Sequence, residues 1–307
     1  MVDEHPGLVR AFVPAHITAF FVPVLDEDPL RSGSLGAGVN LTDGTTVFTS
    51  VEVTGWDESK IHVAFNGEPV SKDEAVISYS VAERLIPAEF KGEVEVWQYF
   101  DFPNGYGFGN SAGGALGTAL TLGYLFGGTL LNVSRVAHAA EVENGGGLGD
   151  VIAQLAGGVE VRVTAGGPGV GVVDNILTHD LKVVSAYLGP IKTREVLDED
   201  VLDDIKREGK VALEKLMHDP RVPVMMRVAR RFAERTGLMD GELRSLALEM
   251  DRVLSIRTSM IMLGKGLFAF VRAKELPSLE ALLKDLNVPY RVSGVYWGKP
   301  VVGTWKG

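Results

Sequence analysis

The 307-residue chain contains no cysteine, which excludes a disulfide framework, a thiolate zinc site and a cysteine nucleophile together. Basic charge is also scarce: 30 lysines and arginines stand against 40 aspartates and glutamates, a net charge of −10. Such a balance offers no basic face to nucleic acid or to a membrane surface, so an anion has to be bound by local donors. Between Phe102 and Ser134 charge is missing altogether. Ala112 to Val133 is long enough to cross a bilayer, but its glycines at 113, 114, 117, 123, 127 and 128 and the acidic flank at Asp101 predict instead a helix buried inside the protein. Met1 to Pro6 carries two acids and no basic residue, so no secretory leader is expected and the expected compartment is the cytoplasm.

With 46% apolar and 23% charged residues, the chain has the balance of one large globular domain or two. Glycine is abundant, at 37 residues, about 12% against an ordinary ~7%. Strands are predicted at Leu8 to Val13, Leu35 to Leu41, Thr45 to Val53, Lys60 to Phe65, Glu93 to Phe100, Val159 to Thr164 and Lys182 to Leu188, which are rich in β-branched and aromatic residues. Ser71 and Glu74 have capping-box spacing before a helix to Leu85. Further helices are predicted over Ser111 to Phe126, over Asn132 to Glu143 and from Asp150. Thr193 to Arg252 reads as three or four charge-rich surface helices, broken at Pro220, Pro223 and Gly237. Strand, helix after Pro277 and strand again complete an α+β pattern.

The segment from Pro103 to Ala115 is the most informative. A strand runs into glycines at 105, 107 and 109, and an uncharged helix opens near Ser111. Glycines let backbone amides turn toward a ligand, and a helix N-terminus adds unpaired donors and positive potential. This describes a phosphate cradle without lysine, and it equally describes a tight packing turn; neither the P-loop nor the dinucleotide pattern fits.

Pro103-x-x-x-Gly107-x-Gly109-Asn110-Ser111-Ala112 resembles the second motif of the GHMP kinases, with Phe108 in place of leucine and Asn110 in place of the first serine. Val13 to Pro23 resembles the first motif, with His16 where a lysine or arginine is usual, and Ser259 to Phe268 resembles the third. The resemblance implies an N-terminal ribosomal-protein-S5-like α/β domain over 1–180, a C-terminal α+β domain over 181–307, and an ATP-dependent small-molecule kinase. Phe12 to Phe21 and Gly33 to Gly38 look most like the archaeal members that phosphorylate pantoate; shikimate or homoserine kinases and a catalytically silent metabolite sensor are the alternatives. Absent cysteine and only two glutamines, Gln98 and Gln154, agree with a heat-adapted archaeal source.

From the same resemblance, Pro103, Gly105, Gly107, Gly109, Asn110, Ser111 and Ala112 are expected to hold ATP. Ser111 and Glu141, with Glu143 as rival, are expected to hold Mg2+, a cation suited to hard oxygens. Asp150 matches a family catalytic base, and its other reading is a helix N-cap. His16, His138, Ser32, Ser34 and Arg162 are expected around the acceptor. His138 shares a helix face with Glu141, and both histidines also read as core residues. Arg162 suits a two-point carboxylate contact or a plain surface position. Ser32 and Ser34, with Arg31, read equally as solvated turn residues, Lys265 as a phosphate contact or an exposed side chain, and Phe20, Phe21 and Val22 as an apolar wall or core. The apolar C-terminal strands permit a homodimer.

Overall fold

The computed structural model describes residues 8–54, 58–190 and 199–306. Two strands dominate. β1 (Val9–Val24) and β2 (Gly33–Val53) pair antiparallel along nearly their whole length, with register shifts between Pro14 and His16 and between Thr18 and Phe20. Strand β1 therefore runs well past the expected end at Val13, and the two predicted runs at 35–41 and 45–53 are one strand. The periodicity failed there for a physical reason: Val13 to Ile17 and Ala19 to Val22 are buried without alternation, and a strand covered on both faces shows no period of two.

Around that pair the first sheet continues on one side through β12 (Val301–Thr304) and on the other through β5 (Gly92–Phe100), β3 (Lys60–Phe65) and β4 (Glu68–Val70). β6 (Glu160–Thr164) pairs with β2 at Gly36 and Ala37 and then with β7 (Val172–Asn175). Helices α1 (Val76–Leu85), α2 (Asn110–Phe126), α3 (Leu130–Glu143) and α4 (Asp150–Ala156) pack together with this sheet. A second sheet orders β11 (Tyr290–Gly294), β8 (Leu181–Pro190), β10 (Gly264–Arg272) and β9 (Ser259–Met260). Of the remaining helices, α5 (Glu199–His218) packs on β1 and β2, α6 (Val222–Arg235) on β1 and β9, and α7 (Gly241–Asp251) on β10, with α8 (Leu276–Asp285) following β10 in the chain. The fold is α+β. The expected capping box forms between Ser71 and Glu74, although regular helix begins only at Val76.

Two expectations are corrected. Pro223 does not break a helix; it sits in the first turn of α6, where its missing N–H costs nothing. Nor is α6 a surface helix, since Val222, Met225, Met226, Ala229 and Phe232 are buried, and Phe232 meets Phe20 and Phe21 edge-on or tilted.

The uncharged segment is α2, seventeen residues long, with a continuous buried run from Ala112 to Leu122. Among the described residues no helix is long and apolar enough to cross a membrane. Its glycines set the packing distance: a Cβ at Gly113 would lie 2.5 Å from Thr45 Oγ1, and one at Gly117 would collide with Val47 Cγ2. Gly117→Ala should therefore lower the melting temperature, because overpacking costs about 1–3 kcal/mol and outweighs the ~1 kcal/mol helix-propensity gain. Gly241→Ala, where no atom lies within 4 Å of the new methyl, should melt at or above the parent. Equal melting of the two variants by calorimetry would remove close approach as the reason for glycine in α2.

Candidate active site

Strand β5 ends at Phe100, and the chain crosses a glycine loop into α2. Gly107 and Gly109 hold φ of +82° and +67°, the left-handed region that disfavours side chains. At Gly107 space is decisive as well, because a Cβ there would stand 2.6 Å from the Met262 carbonyl. Reciprocally, a Cβ on Gly264 would collide with the Tyr106 carbonyl. The loop and the segment from Ser259 to Phe268 are thus interlocked backbone against backbone. Beneath them Phe102 and Phe108 stack at 3.9 Å and 10°, and the Phe108 carbonyl accepts from the His16 amide at 3.0 Å. The two departures from the family motif have local reasons: Phe108 fills this stack, and the Asn110 amide donates to the Phe102 carbonyl at 2.8 Å and to Asn104 Oδ1 at 2.7 Å, tying the loop's ends together.

Two cavities flank the loop. The first, about 370 Å³, is lined by Pro103, Gly105, Gly107, Gly109, Asn110, Ser111, Ala112 and Glu141 together with Ile77, Ser78 and Gln98. The second, about 480 Å³, is lined by Thr18, Phe21, Pro23, Leu25, Ser34, Leu148, Gly149, Met262 and, from α5, Leu202 and Lys206. Both share Gly107, Gly109, Gly146, Gly147, Asp150 and Leu263. Asp150 therefore stands where they join.

Asp150 is the first residue of α4, with Gly149 at the cap position and no side-chain capping bond, so the capping role read from sequence is not the one it plays. Its Oδ1 lies 2.7 Å from His16 Nδ1, and His16 Nε2 lies 2.9 Å from Glu160 Oε1, which also accepts from Arg162 Nη1 at 2.5 Å. His16, Glu160 and Arg162 are 0–1% exposed, while the Asp150 side chain keeps 24% exposure toward the cavities. An imidazole facing a carboxylate at each nitrogen needs a proton on both. Burial works against that charge, yet the hydrogen bonds to Asp150 and Glu160 and their negative charges outweigh it and raise the His16 pKa. For Asp150 burial pushes upward, but the His16 bond and the charges of His16 and Arg162 prevail and lower its pKa.

Glu141, buried on α3, accepts from Ser111 Oγ at 2.5 Å and from the Gly147 amide at 2.6 Å. Burial raises its pKa to about 7 against these two bonds, with the Asp150 charge adding to the rise. The rival Glu143 instead pairs with Arg84 and lines neither cavity.

Other expected residues separate into groups. Ser34 lines the second cavity, and so does Phe21, whereas Phe20 and Val22 are core. Ser32 closes a turn by bonding the Asp26 backbone at both N and O. His138 bonds the carbonyls of Ser32 at 3.0 Å and Pro29 at 3.2 Å, holding that turn from behind; burial lowers its pKa over the opposing pull of these carbonyls. Arg31 pairs with Asp28 on the exterior, and Lys265 pairs with Glu242 and lines neither cavity. Arg162, far from being a surface arginine, is buried, and among the described residues its Nε and Nη2 have no hydrogen-bond partner. Sequence reading missed Glu160 and Lys206. The signal for Glu160 was present: an acid two residues before Arg162 in a strand shares its face. Lys206 stands in a run of charged helix with nothing to distinguish it.

Residues 76–158 match the model of the GHMP kinases N terminal domain. A pantoate kinase of Thermococcus kodakarensis is 62% identical over 300 residues, covering 98% of this chain and 100% of its own. A pantoate kinase of Methanospirillum hungatei is 31% identical over 87% of this chain and 89% of its own. Among solved structures, a phosphotransferase related to the CoA biosynthesis pathway superposes with a TM-score of 0.94 at 60% identity, over 98% of this chain and all of that one. Homoserine kinase from Cytophaga hutchinsonii follows the same fold at 14% identity, with a TM-score of 0.69 over 99% of each chain. Similarity of that degree over the full length, joined to the matched domain, makes this chain a member of the pantoate kinase family within the GHMP kinases.

Proposed function

We propose that this chain transfers the γ-phosphoryl group of ATP to the primary hydroxyl of pantoate, giving 4-phosphopantoate for coenzyme A biosynthesis. The observation that carries this reading is the junction of two cavities at Asp150 and at the glycines of the phosphate loop. ATP fits the first cavity, with its phosphates on the loop amides and the N-terminus of α2. Pantoate fits the second, which has apolar walls for its dimethyl carbon. The names of the two similar proteins, a pantoate kinase and a CoA-related phosphotransferase, support the same assignment.

Ser111 and Glu141 would hold Mg2+. Among the described residues no group of three or more acids and histidines converges as a ready-made metal site, and Mg2+ beside nucleotide phosphates needs only one or two protein carboxylates. Bound there, it would neutralise phosphate charge. Asp150 orients the acceptor hydroxyl and takes its proton, while His16 fixes the carboxylate in the junction. Ser34 lines the second cavity, and Arg162 lies buried behind it. Gly149 packs directly against both: a Cβ there would stand 2.9 Å from Arg162 Nε and collide with Ser34 Oγ. Among the described residues the Arg162 Nε and Nη2 donors have no hydrogen-bond partner, and they would suit an oxygen of the acceptor.

The reading is tested by coupled ADP release from purified protein with MgATP. Pantoate should be turned over far better than shikimate, homoserine or mevalonate. Shikimate above pantoate would overturn the substrate, and no turnover with any acceptor would favour a silent sensor. Asp150→Asn should lose roughly 10²–10⁴-fold in kcat with ATP binding little changed, and Glu141→Gln should raise the magnesium concentration needed for half-maximal rate. Full activity in Asp150→Asn would remove the base role.

The His16 bridge also has a pH consequence. A group whose pKa is raised on folding contributes stability fully below its unfolded value, near 6.5, and loses it as pH climbs through the folded value. The melting temperature should thus decline on the alkaline side of that window. His16→Lys, a cation that stays charged there, should flatten the decline. Parallel pH–melting curves for the two proteins would show that the imidazolium is not the group responsible.

A further inference from the structure

The second cavity has a charge problem that the buried cluster does not solve. Asp150 and Glu160 contribute two negative charges, and protonated His16 and Arg162 contribute two positive ones, all within one hydrogen-bonded chain. The cluster is therefore balanced before any ligand arrives. An anionic acceptor entering a protein of net charge −10 needs a cation that this cluster has not already consumed. Among the described residues lining the second cavity, the charged ones are Asp150 and Lys206.

We infer that Lys206 is the rim cation that receives the carboxylate of a hydroxy-acid acceptor in the second cavity, making helix α5 a specificity element of the enzyme. The inference rests on the kinase reading given above. Helix geometry places the side chain. Leu202, Lys206 and Gly209 follow at i, i+4 and i+7, one stripe of a helix. Leu202 lines the cavity, and Gly209 lies so close to β1 that a Cβ on it would stand 2.5 Å from the Phe21 carbonyl. Lys206 sits between these two contacts, on the stripe that faces β1, and its own lining of the cavity agrees. Its partner is Asp203, at 3.9 Å, with Lys206 51% and Asp203 84% exposed. A pair so open is weak and holds the ammonium only loosely, so the long side chain is free to exchange it for a ligand carboxylate. Arg162, locked against Glu160 at 2.5 Å and outside the lining of the cavity, has no such freedom, and Lys206 supplies the uncompensated charge from the rim.

The test compares pantoate with its neutral primary amide in the parent enzyme, Lys206→Gln and Lys206→Arg. Lys206→Gln should raise the apparent constant for pantoate about five- to thirtyfold, between a screened and a desolvated charge pair, with the ATP constant unchanged. The amide, measured as competitor or substrate, should bind the parent and Lys206→Gln alike, and Lys206→Arg should recover most of the pantoate affinity. Added salt should weaken pantoate binding to the parent more than to Lys206→Gln. The same pantoate constant in Lys206→Gln and the parent would overturn the inference, as would an equal change for acid and amide. A parent that makes no ADP with pantoate would instead bring down the kinase reading on which the inference stands.

Discussion

The buried imidazolium of His16 is the interaction on which the rest of the site depends. It is the cation that lets two acids, Asp150 and Glu160, coexist within one hydrogen-bonded chain in the interior. Without it Asp150 would lose the partner that holds it ionised, and Glu160 would keep only the arginine two residues away. Its position in turn requires β1 to run on through the first sheet rather than end at Val13, since His16 lies just beyond the register shift that follows Pro14. Backbone joins in as well: the His16 amide bonds the Phe108 carbonyl of the glycine loop. One residue thus couples the sheet, the loop and the acid at the junction of the cavities.

Glycine does the complementary task of removing volume. On α2 it brings the helix close enough for its N-terminus to lie level with the loop. At Gly107 and Gly264 it allows two backbones to touch, and at Gly149 it lets the backbone pass close against Arg162 and Ser34. The uncharged stretch that resembles a membrane span on hydropathy is explained by the same demand: a helix covered on nearly all sides in its first three turns has no surface on which charge would be solvated.

Much of this was legible in the residues. The loop from Pro103 to Ser111 and the helix behind it could be read from glycine spacing and missing charge, because both are local consequences of backbone chemistry. The helix that carries Glu141 was legible too, while the choice of Glu141 came from the family resemblance. What escaped was non-local. The long β1 hid its hydrophobic period by being buried on both faces, and the charge balance of Glu160 and Arg162 depends on β6 reaching Gly36 of β2, a pairing of strands more than a hundred residues apart. Lys206 is invisible for a different reason: only the approach of Gly209 to β1 shows which stripe of a highly charged helix faces inward.

The interlock of Gly107 with Met262 and of Gly264 with Tyr106 joins segments separated by more than 150 residues, and β12 closes the sheet against β1 from near the far end of the chain. On the ribosome, the glycine loop emerges long before the wall that shapes it, and β1 waits for an outer neighbour made long after it. Contacts of such separation carry a large loop-closure cost and slow folding. The shape of the loop is therefore a property acquired late, and a nascent chain that has not yet reached Met262 would carry the loop sequence without the loop.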